Sequence, residues 1–405
     1  MSASRKARFF DRTTPPHIST LILLAGLSAL SMSVFLPALP NMTAHYQTEP
    51  WVMQLSVALY LAVNAVMQVF IGPMSDFFGR RPIILGGIAI FIVASIGCAL
   101  APTPELFLVA RMVQATIALG LVLSRAIVRD LYPQAEAASM IGYVTMGMAL
   151  VPMIGPAIGG FLNDQFGWQS NFWMLVILGI ATFGLVFKDL GETKTGGQAS
   201  LSDQFAQYPE LLKARRFWGY CLAAAFASGA FFAFLGGAPG VGAEVYGMGS
   251  TTLGFYMGAP ALGYLMGNFI SGKFSVRIGV NRMVLWGTAV SSFGLGLCLI
   301  LSYTPLNNAL TFFGFMAFVG IGNGMTLPNA TAGMLSVRPH LAGTASGLGG
   351  AIMIGGGAAL SAFASKAQSF GAGAAPLVWI MLITSLFSMI AIVYTIRRDR
   401  YLGTC

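Results

Sequence analysis

From Ile18 onward the chain alternates long apolar runs with short polar joints. The runs lie near 18–40, 52–72, 82–101, 106–128, 139–161 and 168–187, and then near 217–238, 250–271, 280–301, 307–329, 341–363 and 374–396. Each is about 20 residues, the length a helix needs to cross the hydrocarbon core of a bilayer. A helix satisfies its backbone polar groups within its own segment, so it can sit in lipid. Barrel strands would be shorter and would alternate polar with apolar. A longer polar stretch, KDLGETKTGGQASLSDQFAQYPELLKARR, parts the runs into six and six. The pattern predicts an all-α polytopic membrane protein with twelve transmembrane helices in two six-helix bundles. The expected divisions are a tail at 1–17, a bundle at 18–188, a linker at 189–216, a bundle at 217–396 and a tail at 397–405.

Charge fixes an expected orientation. Only 9% of the 405 residues are charged and the formal net charge is +9. With both termini in the cytoplasm, 20 of 22 Lys and Arg residues fall on or near that side, as the positive-inside rule requires. The exceptions are Lys366, placed outside, and Arg111, placed within the membrane. That placement gives the basic balance a membrane explanation, so no nucleic-acid partner is expected. Cys98, Cys221 and Cys298 sit in apolar runs and read as small core residues.

The densest knot of charge is GPMSDFFGRRP, from Gly72 to Pro82. The reading ends one span at Gly72-Pro73 and begins the next at Pro82, where a missing amide hydrogen costs nothing. Arg80 and Arg81 obey the inside rule, whereas Asp76 opposes it. A joint holding both signs reads as a structural latch. Gly72, Ser75 and Gly79 recur as Gly272, Ser275 and Gly279, which points to parallel halves. Val276 replaces Asp76, so the halves share a turn but not a latch.

Arg111, in LFLVARMVQATIALG, is the most informative single residue. A guanidinium inside a membrane normally faces a cavity or a partner; the alternative is snorkelling toward the surface near Glu105. Gln114, three residues on, shares its face and is placed to orient it. Asp130, at the end of the same span, divides between a structural and a coupling role.

Tyr60, Asn64 and Gln68 recur at i, i+4 and give one polar face. With Tyr256 and Asn323, and with Met146, Phe231 and Phe234 as apolar wall, they are candidates for a substrate cavity; plain core packing is the alternative. GYVTMGMALVPMIGPAIGG concentrates Gly147, Pro152, Gly155, Pro156, Gly159 and Gly160 in one helix. Such density reads as a rocking interface, against ordinary small-residue packing. There is no HExxH, GKS/GKT loop or GxSxG and no metal-ligand spacing, so the expectations are no enzyme, no cofactor, no metal and no ATP-driven transport.

Taken together, these features resemble the major facilitator superfamily over nearly the whole chain. GPMSDFFGRRP resembles its 2–3 loop motif through Gly72, Asp76, Gly79, Arg80 and Arg81, and RMVQATIALG its span 4 motif, with Ala115 and Ile117 where glycines are usual. GPAIGG resembles the end of the span 5 motif associated with antiporters. FLPALP, SRAIVRDLY and GPAIGG together resemble the Bcr/CflA drug exporters. The resemblance implies the major facilitator fold and proton-driven export of small drugs across a bacterial inner membrane. It also implies that Asp76 latches the cytoplasmic side and that Arg111 assists proton coupling. Ser33 stands where many members of that group carry an acid in span 1. The missing acid disfavours strongly cationic drugs and suits neutral or weakly anionic amphipaths. Expected partners are a small-molecule substrate, protons and membrane lipids, with the monomer functional. The alternative is a carrier of the same fold moving a metabolite, with other coupling or none.

Overall fold

A computed structural model describes residues 9–131, 140, 144, 151, 154–193, 208–338, 341–367 and 373–401. The side chains of Pro73, Asp76 and Arg129 lie outside that description. Among the described residues the fold is helical. Ten helical stretches are long and apolar enough to cross a membrane. Residues 154–166 form a further helix, at the end of the expected fifth span. The expected eighth span is built from two helices, Ser250–Tyr256 and Ala259–Ile278.

The outer surface is what a bilayer demands. Val93, Ile177, Phe293, Trp286 and Phe363 are all exposed and large. A water-facing surface would not carry so continuous an apolar coat. Cys98, Cys221 and Cys298 are buried free thiols, as their apolar settings predicted.

The GPMSDFFGRRP joint differs from its expected form. The second-span helix runs from Pro50 through Gly72 and Pro73 to Phe78, and the next runs from Arg80 to Leu100. The two meet at one residue, Gly79, with φ 93° and ψ 152°. A side chain rarely tolerates that φ, so glycine alone makes a one-residue turn affordable here. Pro73 therefore does not end its helix, and Pro82 does not begin the next. Gly279 repeats the turn with φ 87° and ψ 149° between Ala259–Ile278 and Val280–Ser302. The weak sequence repeat thus has a backbone counterpart.

Small residues let helices touch backbone to backbone. Gly263 and Gly267 face the carbonyls of Ala317 and Ile321, while Gly320 and Gly324 face those of Pro260 and Tyr264. Any Cβ at these positions would collide with the facing helix. Without a hydrophobic driving force between helices in lipid, such close packing is a main source of association.

In each half a buried aspartate at the end of the last helix ties it to the start of the first. Asp189 accepts from the Phe10 and His17 amides, both at 2.9 Å, and from the Thr20 hydroxyl at 2.6 Å. Asp399 pairs with Arg216 at 2.7 Å and accepts from Asn281 at 2.8 Å. The end carrying these aspartates is called proximal below, and the opposite end distal.

Candidate functional site

Arg111 is fully buried. It sits on Pro104–Gln114, just before that helix tightens into a 3-10 segment at Ala115–Ala118. Its Cζ lies 4.4 Å from the Phe35 ring centre and 4.2 Å from that of Tyr60. The guanidinium is therefore held between two π faces, which favour a cation electrostatically. Nη2 donates to the Ser31 carbonyl at 2.7 Å and Nη1 to the Ser31 hydroxyl at 3.2 Å. Nη1 also donates to Gln114 Oε1. Gln114 Nε2 in turn donates to Ser95 Oγ at 2.7 Å, and Ser95 donates to the Phe91 carbonyl at 2.7 Å. Four helices thus converge on one cation.

Snorkelling is excluded for Arg111, because no part of it reaches the surface. Among the described residues no carboxylate pairs with it; all its hydrogen-bond partners are neutral. Nε is buried without a hydrogen-bond partner. A buried cation compensated only by dipoles and rings is held at a cost in desolvation. Tyr60 is correspondingly not an open cavity wall: it is fully buried beneath the guanidinium.

The other two members of the Tyr60 stripe face elsewhere. Gln68 Nε2 donates to Asn64 Oδ1 at 3.3 Å, and Gln68 packs against Gly350 on the Ala342–Ala367 helix. Phe231 and Phe234 stack at 6.5 Å, Phe234 meets Phe313 at 6.1 Å, and Phe313 meets Tyr256 at 5.5 Å. Phe313, unremarked in the sequence, is the hub that joins the expected residues. Asn323 is buried on the same helix as Phe313. Met146, Gly147 and Pro152 lie outside the described residues.

At the 2–3 joint the visible charge contacts involve Arg80 and Arg81. Arg80 Nε pairs with Asp130 at 3.1 Å, and Arg80 Nη1 donates to Ser75. The Arg80 and Arg81 amides donate to the Glu192 carboxylate at 3.0 and 3.3 Å. Glu192 thereby caps the positive N-terminus of Arg80–Leu100. Arg81 Nε donates to the Leu190 carbonyl at 2.9 Å. The joint is thus clamped to the end of span 4 and to the start of the linker. Glu192 was hidden in the sequence because nothing local marks a cap that arrives from more than a hundred positions away.

The two halves interlock at the distal end. Gly159 lies against the Val34 carbonyl within the first half. Gly160 lies against the Ser250 carbonyl of the second half, and Gly254 against that of Pro156. Gly155 packs on Leu30 and Ser33. Asn163 donates to the Ser250 hydroxyl at 2.8 Å, and Asp164 accepts from the Thr251 amide at 2.9 Å. Lys366 reaches across to the Trp51 ring at 4.4 Å. Of the glycines singled out from the sequence, Gly160 sits where the halves touch, while Gly155 and Gly159 pack within the first half; Asn163 and Asp164 were missed, since both read as ordinary joint residues.

Comparison with known proteins follows the same lines. Residues 21–362 match the Major Facilitator Superfamily. The chain is 31% identical over 344 residues to a chloramphenicol resistance protein of Pseudomonas aeruginosa, covering 83% of this chain and 82% of that one. It is 27% identical over 399 residues to a bicyclomycin resistance protein homolog of Haemophilus influenzae, covering 96% and 98%. The solved D-xylose-proton symporter superposes with a TM-score of 0.75 at 16% identity, covering 93% of this chain and 95% of that one. A bacterial homolog of the lysosomal transporter Spinster, in an inward-facing and occupied conformation, gives 0.72 at 18%, covering 95% and 96%. A match this long, on a fold of this shape, decides the family: the chain belongs to the Major Facilitator Superfamily of membrane transporters.

Proposed function

We propose that this chain is a proton-coupled antiporter that exports small amphipathic compounds, neutral or weakly anionic ones in preference to cations. The carrying observation is Arg111, a fully buried cation whose described partners are all neutral. Such a charge repels a cationic cargo and favours a neutral or anionic one. Of the 13 acids in the sequence, none lies mid-span, so no carboxylate offers a desolvated counter-charge for an ammonium drug. Relatives named for chloramphenicol and bicyclomycin resistance support drug export.

In this reading the halves, divided at the linker 189–216, rock between two access states in a bacterial inner membrane. Both termini are cytoplasmic and the monomer is the working unit. The distal Gly160–Ser250 contact then closes the outer side. Arg80, Arg81, Asp130 and Asp76 gate the inner joint. The aromatic group of Phe231, Phe234 and Tyr256 supplies an apolar wall.

A second reading, a uniporter of the same fold, is favoured by Ser33, which stands where many of the exporters it resembles carry an acid and, among the described residues, donates to the Ala29 carbonyl at 3.3 Å. Purified protein in proteoliposomes, with pH and voltage gradients set independently, separates the two. Uphill movement of a neutral amphipath driven by a pH gradient supports antiport. Downhill flux alone, unchanged by that gradient, supports the uniporter and overturns proton coupling.

A further inference from the structure

Span 4 carries a second arginine, Arg125, fourteen positions beyond Arg111. Fourteen residues make about four helical turns, or about 20 Å, so Arg125 lies well along the span toward the Arg80 joint. It sits on Leu119–Leu131, where Leu123, Ser124, Ala126, Ile127 and Val128 are all buried and Arg125 itself is exposed. A face turned to lipid would also lay open the neighbours three and four positions away. Here Val128 is buried, and Leu121 and Val122 are only half-buried. An accessible side chain on a helix otherwise packed in protein lines an internal opening.

That opening lies between the halves. The Tyr264 phenol, on Ala259–Ile278 of the second half, is close enough to act electrostatically on the Arg125 guanidinium. Gly320 and Gly324 pin the backbone at Tyr264 to the neighbouring helix. Asn268 donates to the Tyr264 carbonyl at 2.8 Å, a bond that leaves the phenol untouched. Among the described residues neither the guanidinium nor the phenol makes a hydrogen bond, and Arg125 has no ion pair. Asp130, five positions on, is committed to Arg80 at 3.1 Å. A cation and a hydroxyl donor thus share one opening, and no acceptor is assigned to either.

We propose that Arg125 and Tyr264 form an anion-binding subsite for cargo, taking the carboxylate of a small amphipathic acid. This rests on the export reading above, and it assigns the anionic preference to a group that cargo can touch, since Arg111 is sealed. A guanidinium offers two parallel N–H donors to a carboxylate, and a phenol adds a third donor. Inside the opening such a charge pair is screened less than on the surface. The contacts of Gly160 and Gly254 close the distal end, so the subsite is reached from the proximal side. Its two members come from opposite halves. Rocking of the halves therefore changes their separation, takes the subsite apart and releases the carboxylate.

The test uses the full chain in phosphatidylcholine nanodiscs, with radiolabelled benzoate as the probe and benzamide as its uncharged competitor. Empty discs supply the background. Wild type is expected to bind benzoate saturably, with benzamide competing at least about tenfold less well. Arg125→Gln should raise the half-saturating benzoate concentration at least about tenfold, the loss expected for a charge-assisted hydrogen bond, and bring benzoate and benzamide close to equality. Tyr264→Phe should raise it about threefold. Arg125→Lys keeps the charge and should retain part of the affinity; with Tyr264→Phe it carries the comparison if Arg125→Gln is not monodisperse. No saturable benzoate binding in wild type, benzamide competing as well as benzoate, or undiminished binding in Arg125→Gln overturns the proposal. A loss of more than about tenfold when phosphatidylglycerol replaces part of the phosphatidylcholine would assign the site to a lipid headgroup and overturns it too. Failure of pH-driven transport in the proteoliposome assay leaves a positive binding result standing, and failure of benzoate binding leaves export of neutral cargo standing.

Discussion

The Arg111 guanidinium rests 4.2 Å from the centre of the Tyr60 ring, and neither side chain is exposed. A desolvated cation–π contact is worth about 2 kcal/mol, roughly thirty-fold in an equilibrium. Tyr60→Phe keeps the ring and gives up the hydroxyl's contacts with Ser31 and with the Ser28 carbonyl, the latter at 3.5 Å, so transport should stay near wild type. Tyr60→Leu should lower it about thirty-fold. Efflux rates at matched protein density check this; equal rates for the two variants would remove the ring from the account.

Arg111→Lys is not a conservative change at this site. A single ammonium cannot lie flat between Phe35 and Tyr60 while serving both Ser31 and Gln114. Both Arg111→Lys and Arg111→Ala are expected to abolish pH-driven export. The measurement is flux under an imposed pH gradient, and normal export by Arg111→Ala would void the coupling assignment.

Gly160 meets the Ser250 carbonyl of the opposite half, and a leucine there cannot fit while the halves touch. Overpacking costs about 1–3 kcal/mol, which shifts the population toward a distal-open state by about fivefold or more. In Gly160→Leu, a cysteine placed at the buried Gln54 position should become alkylated at least about fivefold faster. Alkylation no faster than in the parent would show that the contact does not control access.

Glu192 caps a helix through the Arg80 and Arg81 amides. Glu192→Ala should cost about 1 kcal/mol in thermal unfolding, and less at high salt. A loss that ignores salt would point to packing in place of charge.

The two proximal aspartates should respond differently to amidation. Asp399 faces a cation, Arg216, and its side chain is only 3% exposed against 28% for the arginine. Asp399→Asn strands that cation and should cost about 2–3 kcal/mol. Asp189 accepts only from neutral donors, and an amide oxygen can still accept, so Asp189→Asn should cost about 1 kcal/mol. Paired denaturation curves decide it; equal losses would mean the ion pair adds nothing.

Which features were legible follows from how far their causes reach along the chain. The spans were legible because lipid demands runs of about 20 apolar residues. Gly79 and Gly279 were legible as a pair because each turn needs a glycine at a fixed place. Arg111 was legible as an anomaly, since a charge in an apolar run always needs a reason. The extent of the Pro50–Phe78 helix was misread, because Gly-Pro is a breaker by local preference and the surrounding helix overrode it.

Sequence by itself determined the helical membrane class, the Gly79 and Gly279 repeat and the singular status of Arg111, because each follows from local chemistry set against lipid. Only the tertiary structure decided that Arg111 lies between Phe35 and Tyr60, that Glu192 caps the Arg80 helix, and that Gly160 meets Ser250 across the seam. Those are contacts between segments far apart in the chain, and they depend on how helices cross, which spacing along one helix does not encode.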